Sequence, residues 1–499
     1  MVQRVSGLVS GIDTDALIQK MVQAAKAPVD KIWQQRKTVE WQRQALLDMN
    51  TKLYDFRNNK VFNFKLESNL GAKKVELRGY ADAVSARAKG DAVPGTMSIK
   101  VKSLAKAASI QSDTVMTVKP GDKINVTEEI TINGYKVQVN AEDTLKDVLA
   151  KITKETNVTA FYDEVAQKVA LTSKETGKVN GNPDGSGKRT GDTITFSGTL
   201  FADVLKIEAG KQEQKAEDAQ LEINGVETTR TSNTFTVNGI EVTLNQVSPK
   251  TADNNDYIAT TLTTKTDTDK IVESIKAFIN DYNEMLKTLQ DKVSEKRFRD
   301  FPPLTEEQRK EMSDKEIELW EEKAKSGLLK NDTMLSQLIS DMRLAMISPV
   351  DNGSKYNTIS AIGIETGEYT ENGKLYLKDE AKLRKAIEED PQAIVDLFTA
   401  NGNGDDDDSD VGIGERLYAS LEQTMKSITQ KVGTVATLHD DSLMGKQMRS
   451  LAERIDAGNR RVQQLEQRYY RQFTAMEQAI QRLNAQSAQL LSAFGGNGQ

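Results

Sequence analysis

Ile455-Asp-Ala-Gly-Asn-Arg-Arg-Val462-Gln-Gln-Leu-Glu-Gln-Arg-Tyr469-Tyr-Arg-Gln-Phe-Thr-Ala-Met476-Glu-Gln-Ala-Ile-Gln-Arg-Leu483-Asn-Ala-Gln-Ser-Ala-Gln-Leu490 carries an apolar residue at every seventh position without a miss. That recurrence is the pattern of a helix that keeps one edge against a partner. The second apolar line is poorer. Leu465 and Ala479 occupy it, Gln472 and Gln486 interrupt it, and Phe473, Ile480 and Phe494 lie one step on. No proline follows Pro391. The pattern predicts a helix from about Leu443 to Ser492, roughly 75 Å long at 1.5 Å per residue. Such a rod cannot bury its seam alone. It needs either the N-terminal helices or further copies of the chain.

The N-terminal end mirrors it. Asp13 or Thr14 can cap a short helix whose apolar face is Leu17, Ile18, Met21 and Val22. Pro28 is expected to interrupt that helix and to stand first in the next one. From there Ile32, Val39, Leu46 and Leu53 fall seven apart, with Met49 and Phe56 joining toward the end. Between the two helical ends the period changes to two. From about Val75 to Thr264, short runs rich in Val, Ile and Thr are broken by Asn-Gly pairs, the signature of β-hairpins. Thr131-Ile-Asn-Gly-Tyr-Lys-Val-Gln-Val-Asn140 aligns with Thr236-Val-Asn-Gly-Ile-Glu-Val-Thr-Leu-Asn245, and Glu222-Ile-Asn-Gly-Val-Glu-Thr-Thr229 is a shorter relative. Each fits strand, type I′ turn, strand, because Asn and Gly tolerate positive φ. The two long repeats are assigned to two β-rich lobes, separated by the loop Gly177 to Gly191.

Three further helices follow from periodicity and caps. Asp143 to Thr153 is amphipathic through Leu145, Val148, Leu149 and Ile152. From Asp269, Ile271, Ile275, Phe278, Ile279, Tyr282, Met285, Leu286 and Leu289 form a stripe wide enough for a bundle. Asn331 or Asp332 can cap a helix bearing Leu335, Leu338, Ile339 and Met342. Pro302-Pro303 precedes two capping boxes, Thr305 with Gln308 and Ser313 with Glu316. Gly363 to Leu377, with an Asn372-Gly373 turn, reads as a hairpin, and Asp390-Pro391 opens a short helix ending at Phe398.

The chain has 499 residues, 37% hydrophobic and 28% charged, with 67 basic against 74 acidic side chains and a net charge of −7. About 150 residues per domain predicts roughly three domains with thin cores. The acidic balance speaks against nucleic-acid binding. With 0 cysteines and 1 histidine, His439, disulfides, thiolate metal sites and most imidazole chemistry are excluded or disfavoured. No window approaches the 18 or so apolar residues of a membrane span, and the N-terminus lacks the apolar stretch of a cleaved signal. The remaining chemical motifs read blandly. Asn182 to Arg189 lacks the spacing and hydroxyl of a phosphate loop. Asn401 to Asp410 lacks the Gly and Glu of a calcium loop. His439 with Asp440 has no nucleophile. No cofactor, metal or catalytic residue is expected.

Helical ends that pair around a strand-rich middle are the plan of flagellar axial proteins, and particular residues narrow it. Val5-Ser-Gly-Leu-Val-Ser-Gly-Ile-Asp-Thr-Asp-Ala-Leu-Ile18 with Pro28 resembles the opening of FliD-type flagellar filament cap proteins. Glu222-Ile-Asn-Gly through Leu244, Phe278-Ile-Asn-Asp-Tyr-Asn283, Gly327-Leu-Leu-Lys-Asn-Asp332, Ile362-Gly-Ile364 and Asn372-Gly-Lys-Leu375 are similar to that family's later motifs, in order. The resemblance implies an α+β multidomain structural protein with coiled-coil legs, a helical bundle and two nested β-rich insertions. The implied parts are a leg of residues 1–30 and 458–499, a bundle of 31–72 and 268–457, a β-lobe of 73–118 and 212–267, and an outer lobe of 119–211. It also implies export unfolded through the flagellar channel and assembly at the filament tip, as a homo-oligomer taken as a pentamer. Flagellin, a hook–filament junction protein and an export chaperone on the C-terminal helix are the implied partners. The competing readings are a surface adhesin whose β-lobes bind host glycan or mucin, and a glycan hydrolase using paired carboxylates, for which no Asp or Glu sits in a recognisable strand-end or cleft motif.

The seams themselves assign two residue sets. Ile32, Val39, Leu46, Leu53, Ile455, Val462, Tyr469 and Met476 are expected to form the coiled-coil seam. Leu17, Ile18, Met21, Val22, Leu483, Leu490, Leu491 and Phe494 are expected to face the oligomer or filament, because little chain remains to cover them. Subunits stripped of both ends should therefore be monomeric or weakly associated. Sedimentation of full and truncated chains checks this, and identical concentration dependence would contradict it.

Overall fold

Asp13 accepts a hydrogen bond from the Ala16 amide at 2.9 Å, and the N-terminal helix begins behind it at Thr14. In the computed structural model, residues 13–178, 192–404, 408–434 and 440–494 are described. The phosphate-loop lookalike at 182–189, His439, and residues 1–12 of the opening motif lie outside them, as do residues 405–407 of the acidic loop. The chain separates into two compact units, one of residues 1–66, 273–386 and 393–499, the other of 67–272 and 387–392.

In the first unit the N-terminal helix runs unbroken over Thr14–Asp55 with Pro28 inside it. This corrects the expected interruption. An internal proline removes one backbone bond and costs about 3 kcal/mol in a free helix. Here Val29, only 7% exposed, packs against the C-terminal helix directly after the proline. That tertiary contact holds the helix through the defect. The C-terminal helix spans Leu443–Phe494. Its 52 residues give it a length of about 78 Å.

Gly458 explains how closely the pair approaches. A Cβ built there would lie 2.7 Å from Val29 Cγ2. Read in isolation, this glycine only weakens the helix. In the fold it is the hollow that admits Val29.

Around the pair, the unit's core joins the helices Thr268–Ser294, Thr333–Ile347 and Ile413–Val432. Phe64 stacks on Phe278 with centroids 3.9 Å apart and meets Phe398 edge-on at 5.1 Å. Arginines close the helix ends. Arg43 donates from Nε to the Val432 carbonyl at 2.7 Å and pairs with Asp440 at 3.0 Å. Arg416 donates to the Ser348 and Pro349 carbonyls. Positive charge at carbonyl ends that lack intrahelical partners is doubly favourable.

Local signals in this unit hold closely. Thr305 and Ser313 form their capping boxes, and Asp332 caps the helix at Thr333. Asn372-Gly373 is the exception. The strands Ile364–Thr366 and Leu375–Leu377 pair, but a 3-10 turn at Tyr369–Glu371 lies between them. The connection is a longer loop that contains Asn372 and Gly373, both at positive φ.

The second unit contains two separate cores. One lies between a five-stranded sheet, in the order Lys73–Gly79, Thr260–Thr266, Gly95–Ser103, Ala219–Ile223, Val226–Arg230, and a three-stranded sheet, Thr234–Val237, Ile240–Leu244, Val84–Ala88. Ile99, Val101, Leu221, Val242 and Leu262 fill it. The other core joins a four-stranded and a three-stranded sheet to the helix Leu145–Glu155, with Ile110, Ile130, Val137, Val148 and Leu171 inside. The helix starts two residues later than its periodicity suggested because Thr144 caps it, in a capping box with Asp147. All three Asn-Gly pairs have positive φ at both positions, near 50° for Asn133, Asn224 and Asn238. Each sits between paired antiparallel strands. The fold is α+β and multidomain.

Filling the hollow should separate the pair. Gly458→Val is expected to destabilise by about 1–3 kcal/mol through overpacking. A glycine in an exposed helix interior would instead gain about 1 kcal/mol on replacement by alanine. Urea unfolding followed by helical ellipticity distinguishes the two signs.

Candidate assembly surface

Two anchors fix the direction of the terminal helices. Arg43 meets Asp440, and Val29 meets Gly458, so the helices run antiparallel. Val22 and Tyr470 then line one groove together. Along the seam Val39, Leu46 and Leu53 are buried, Ile32 is half-buried, and Ile455 is 9% exposed. Val462 and Tyr469 are half-buried, and Met476 reaches 37% exposure. Burial fades toward the C-terminus.

Beyond this the C-terminal helix continues without cover among the described residues. All ten residues of 481–490 are exposed, Leu483 at 63% and Leu490 at 58%. Leu491 and Phe494 lie on the same helix, but their side chains are outside the described residues. At the N-terminal end Leu17 is 40% exposed, and Met21 and Val22 are half-buried. Ile18 is different. At 2% exposure it belongs to the packing of the fold and not to an open face, because it falls on the inward side of its helical turn.

A charged arm packs against the N-terminal helix, a feature the sequence did not reveal. Residues 295–330 include the helices Glu306–Lys310 and Asp314–Lys325. Gln34 donates to the Pro303 carbonyl at 2.9 Å, and Lys325 lies over the Trp41 ring at 5.1 Å. Trp320 donates to the Pro302 carbonyl at 2.8 Å, so the proline pair positions the arm from within. Lys26 forms an ion pair with Glu307. A groove of about 950 Å³ opens between the arm and the two terminal helices, floored by Ile18 and Val22 and walled by Glu307, Glu466 and Tyr470. The hydrogen bond from Lys26 holds the Glu307 carboxyl below its ordinary value, and Glu307 in turn raises the Lys26 amine. Burial pushes the Asp30 carboxyl up. The polar walls suit a contact that forms and releases. Among the described residues no cluster of three or more metal-binding side chains occurs, and no helix is long and apolar enough to cross a membrane.

The chain thus combines a closed pair of terminal helices, an apolar helix end exposed beyond it and, in its other unit, two β-rich cores. The sequence comparisons place it. A family profile described as "Flagellar hook-associated protein 2 C-terminus" matches residues 216–485, the corresponding N-terminus profile matches 10–108, and a "Flagellin hook IN motif" matches 123–175. The flagellar hook-associated protein 2 of Halalkalibacterium halodurans is 31% identical over 548 aligned residues, covering 98% of this chain and 99% of that one. That of Thermotoga maritima is 25% identical, covering 89% and 67%. The chain therefore belongs to the flagellar hook-associated protein 2 family. Its fold resembles the crystal structure of the flagellar cap protein FliD D1-D2-D3 domains from Escherichia coli, with a TM-score of 0.54 at 19% identity, over 82% of this chain and 99% of that one.

The arm's ion pair yields a signed prediction. Glu307 has a lowered pKa, so its contribution is present above its ordinary value of 4.5 and is lost as pH falls through the lowered one. Asp30, raised by burial, works in the opposite sense. Glu307→Gln should speed amide exchange over residues 305–310 by about twofold at neutral pH, the share of one exposed ion pair. It should also abolish the further loosening of wild type below pH 4.5. Hydrogen exchange corrected for intrinsic rates reads both effects.

Proposed function

We propose that this chain caps the distal tip of a bacterial flagellar filament, outside the cell, where a plate of copies promotes ordered insertion of flagellin and prevents its loss to the medium. Family membership supports the role. The observation that carries the mechanism is the uncovered end of the C-terminal helix, with Leu483 63% and Leu490 58% exposed. Burying the exposed share of each leucine is worth about 1–2 kcal/mol. That is enough to seat a subunit in company and too little to lock it, which suits a cap that must reseat as each flagellin arrives.

In this reading Leu17, Met21, Val22, Leu483, Leu490, Leu491 and Phe494 form the filament-facing contact, and the seam from Ile32 to Met476 supports it. The division into a leg, a bundle and two nested lobes belongs to the same proposal, as does a pentameric plate. The hook–filament junction protein is a neighbour, and an export chaperone covers the C-terminal helix before secretion. The chain acts as a structural protein, not an enzyme. The adhesin reading gains no support from the family or from the similar structures and is set aside.

Deleting the gene should leave flagellin secreted but unpolymerised, and the full chain should restore filaments. A chain truncated after about Ala457 should fail to do so, and Leu483→Ser with Leu490→Ser should shorten filaments and slow swimming. Normal filaments and motility with the truncated chain would defeat the proposed contact.

A further inference from the structure

The C-terminal helix uses one kind of cation. No lysine follows Lys446, whereas seven arginines do. Five of these, Arg460, Arg461, Arg468, Arg471 and Arg482, lie within 457–490, and all five are exposed. None joins an ion pair among the described residues. Arg471 donates to the Gln467 carbonyl of its own helix at 3.3 Å, and Arg468 lies over the adjacent Tyr469 ring at 5.7 Å. The two acids of the same stretch, Glu466 and Glu477, are half-buried and buried. At 3.6 residues per turn, each of the five arginines lies about 120° or more around the helix from Glu466. Glu466 lines the groove that faces the charged arm, so the arginines point away from the arm of their own chain.

The arm carries the matching charge. Arg309 and Lys325 both pair with Glu321, and Lys323 lies over the Phe301 ring at 4.7 Å. With those cations engaged, Asp314, Glu318 and Glu322 stand four residues apart along the helix Asp314–Lys325. All three are exposed and join no ion pair among the described residues, and Lys315 is the cation beside them. Trp320, on the inward side of that helix, is held by the Pro302 carbonyl, so the acidic row faces outward. Leu319, 52% exposed, lies next to it.

Dimensions and chemistry agree. The acidic row is about 12 Å long, against about 10 Å from Arg461 to Arg468 and about 15 Å to Arg471. Guanidinium groups match carboxylates in a planar fork, which lysine cannot do. Their apolar stems can cover a side chain such as Leu319.

We propose that the arginine face of the C-terminal helix docks on the acidic arm of a second copy of this chain. The two faces lie on opposite sides of one subunit. Each copy therefore offers one face to each of two neighbours, a head-to-tail contact of the kind that closes rings. The inference rests on the proposed plate of copies and adds which surfaces meet. It is separate from the contact through Leu483 and Leu490.

The chain has 0 cysteines, so introduced ones report the contact in the full-length protein. Gln464 is exposed and lies among the arginines. A mixture of Gln464→Cys and Leu319→Cys chains should form disulfide dimers under mild oxidation, well above either chain alone. No excess in the mixture would overturn the proposal. Sedimentation provides the second reading. Arg461→Glu with Arg468→Glu should weaken self-association about tenfold, a few-fold for each exposed pair reversed. Glu318→Arg with Glu322→Arg should do the same, and mixing the two reversed chains should restore association. Unchanged association in either reversed chain, or a loss that mixing does not restore, would count against the contact. Reversed arginines that kept self-association but lost flagellin binding would assign the face to flagellin and also overturn it. Failure of the capping reading shows separately, as an unmodified chain that does not restore filaments to the deletion strain.

Discussion

The constraint on which this structure depends is a seam too narrow for one helix to bury. A stripe recurring every seven residues covers a small part of a helix surface, and an isolated helix gains nothing from it in water. The seams sit at opposite ends of the chain, so burial requires the two ends to meet. Once Arg43 is fixed to Asp440 and Val29 to Gly458, every intervening segment becomes an excursion that must leave and return. The closure entropy of a long excursion rises only slowly with its length. Excursions within excursions therefore cost little, and the segment 67–272, the larger part of the second unit, carries two separate β-rich cores inside one such departure.

Polar contacts at helix ends then set geometry that apolar packing leaves open. Arg43 and Arg416 both donate to carbonyls at the ends of helices. Arg297 does the same at the end of the charged arm, donating to the Ala324 and Ser326 carbonyls, the latter at 2.9 Å. Guanidinium groups reach two or three acceptors at once, which fixes orientation as well as distance. Such clamps join only when the fold is complete.

The gradient along the C-terminal helix connects this physics to function. Residues are buried near Ile455, half-buried at Tyr469 and exposed over 481–490. The internal partner thus covers the helix near Ile455, while Leu483 and Leu490 stay exposed, the surface proposed to meet a neighbour.

What the sequence determined by itself is whatever depends on neighbours a few residues away. The three Asn-Gly hairpins, the capping boxes at Thr144, Thr305 and Ser313, and the helical seams were legible because φ preferences and short-range hydrogen bonds are local. Residue order also carried the family motifs, and with them the capping role. Only the tertiary structure decided where local rules yield or fall silent. Pro28 stays inside a helix because Val29 is packed. Gly458 is a hollow and not a break, Ile18 turns inward, and the charged arm lies on Gln34 and Trp41. Each of these is set by atoms distant in the chain, whose positions no local preference encodes.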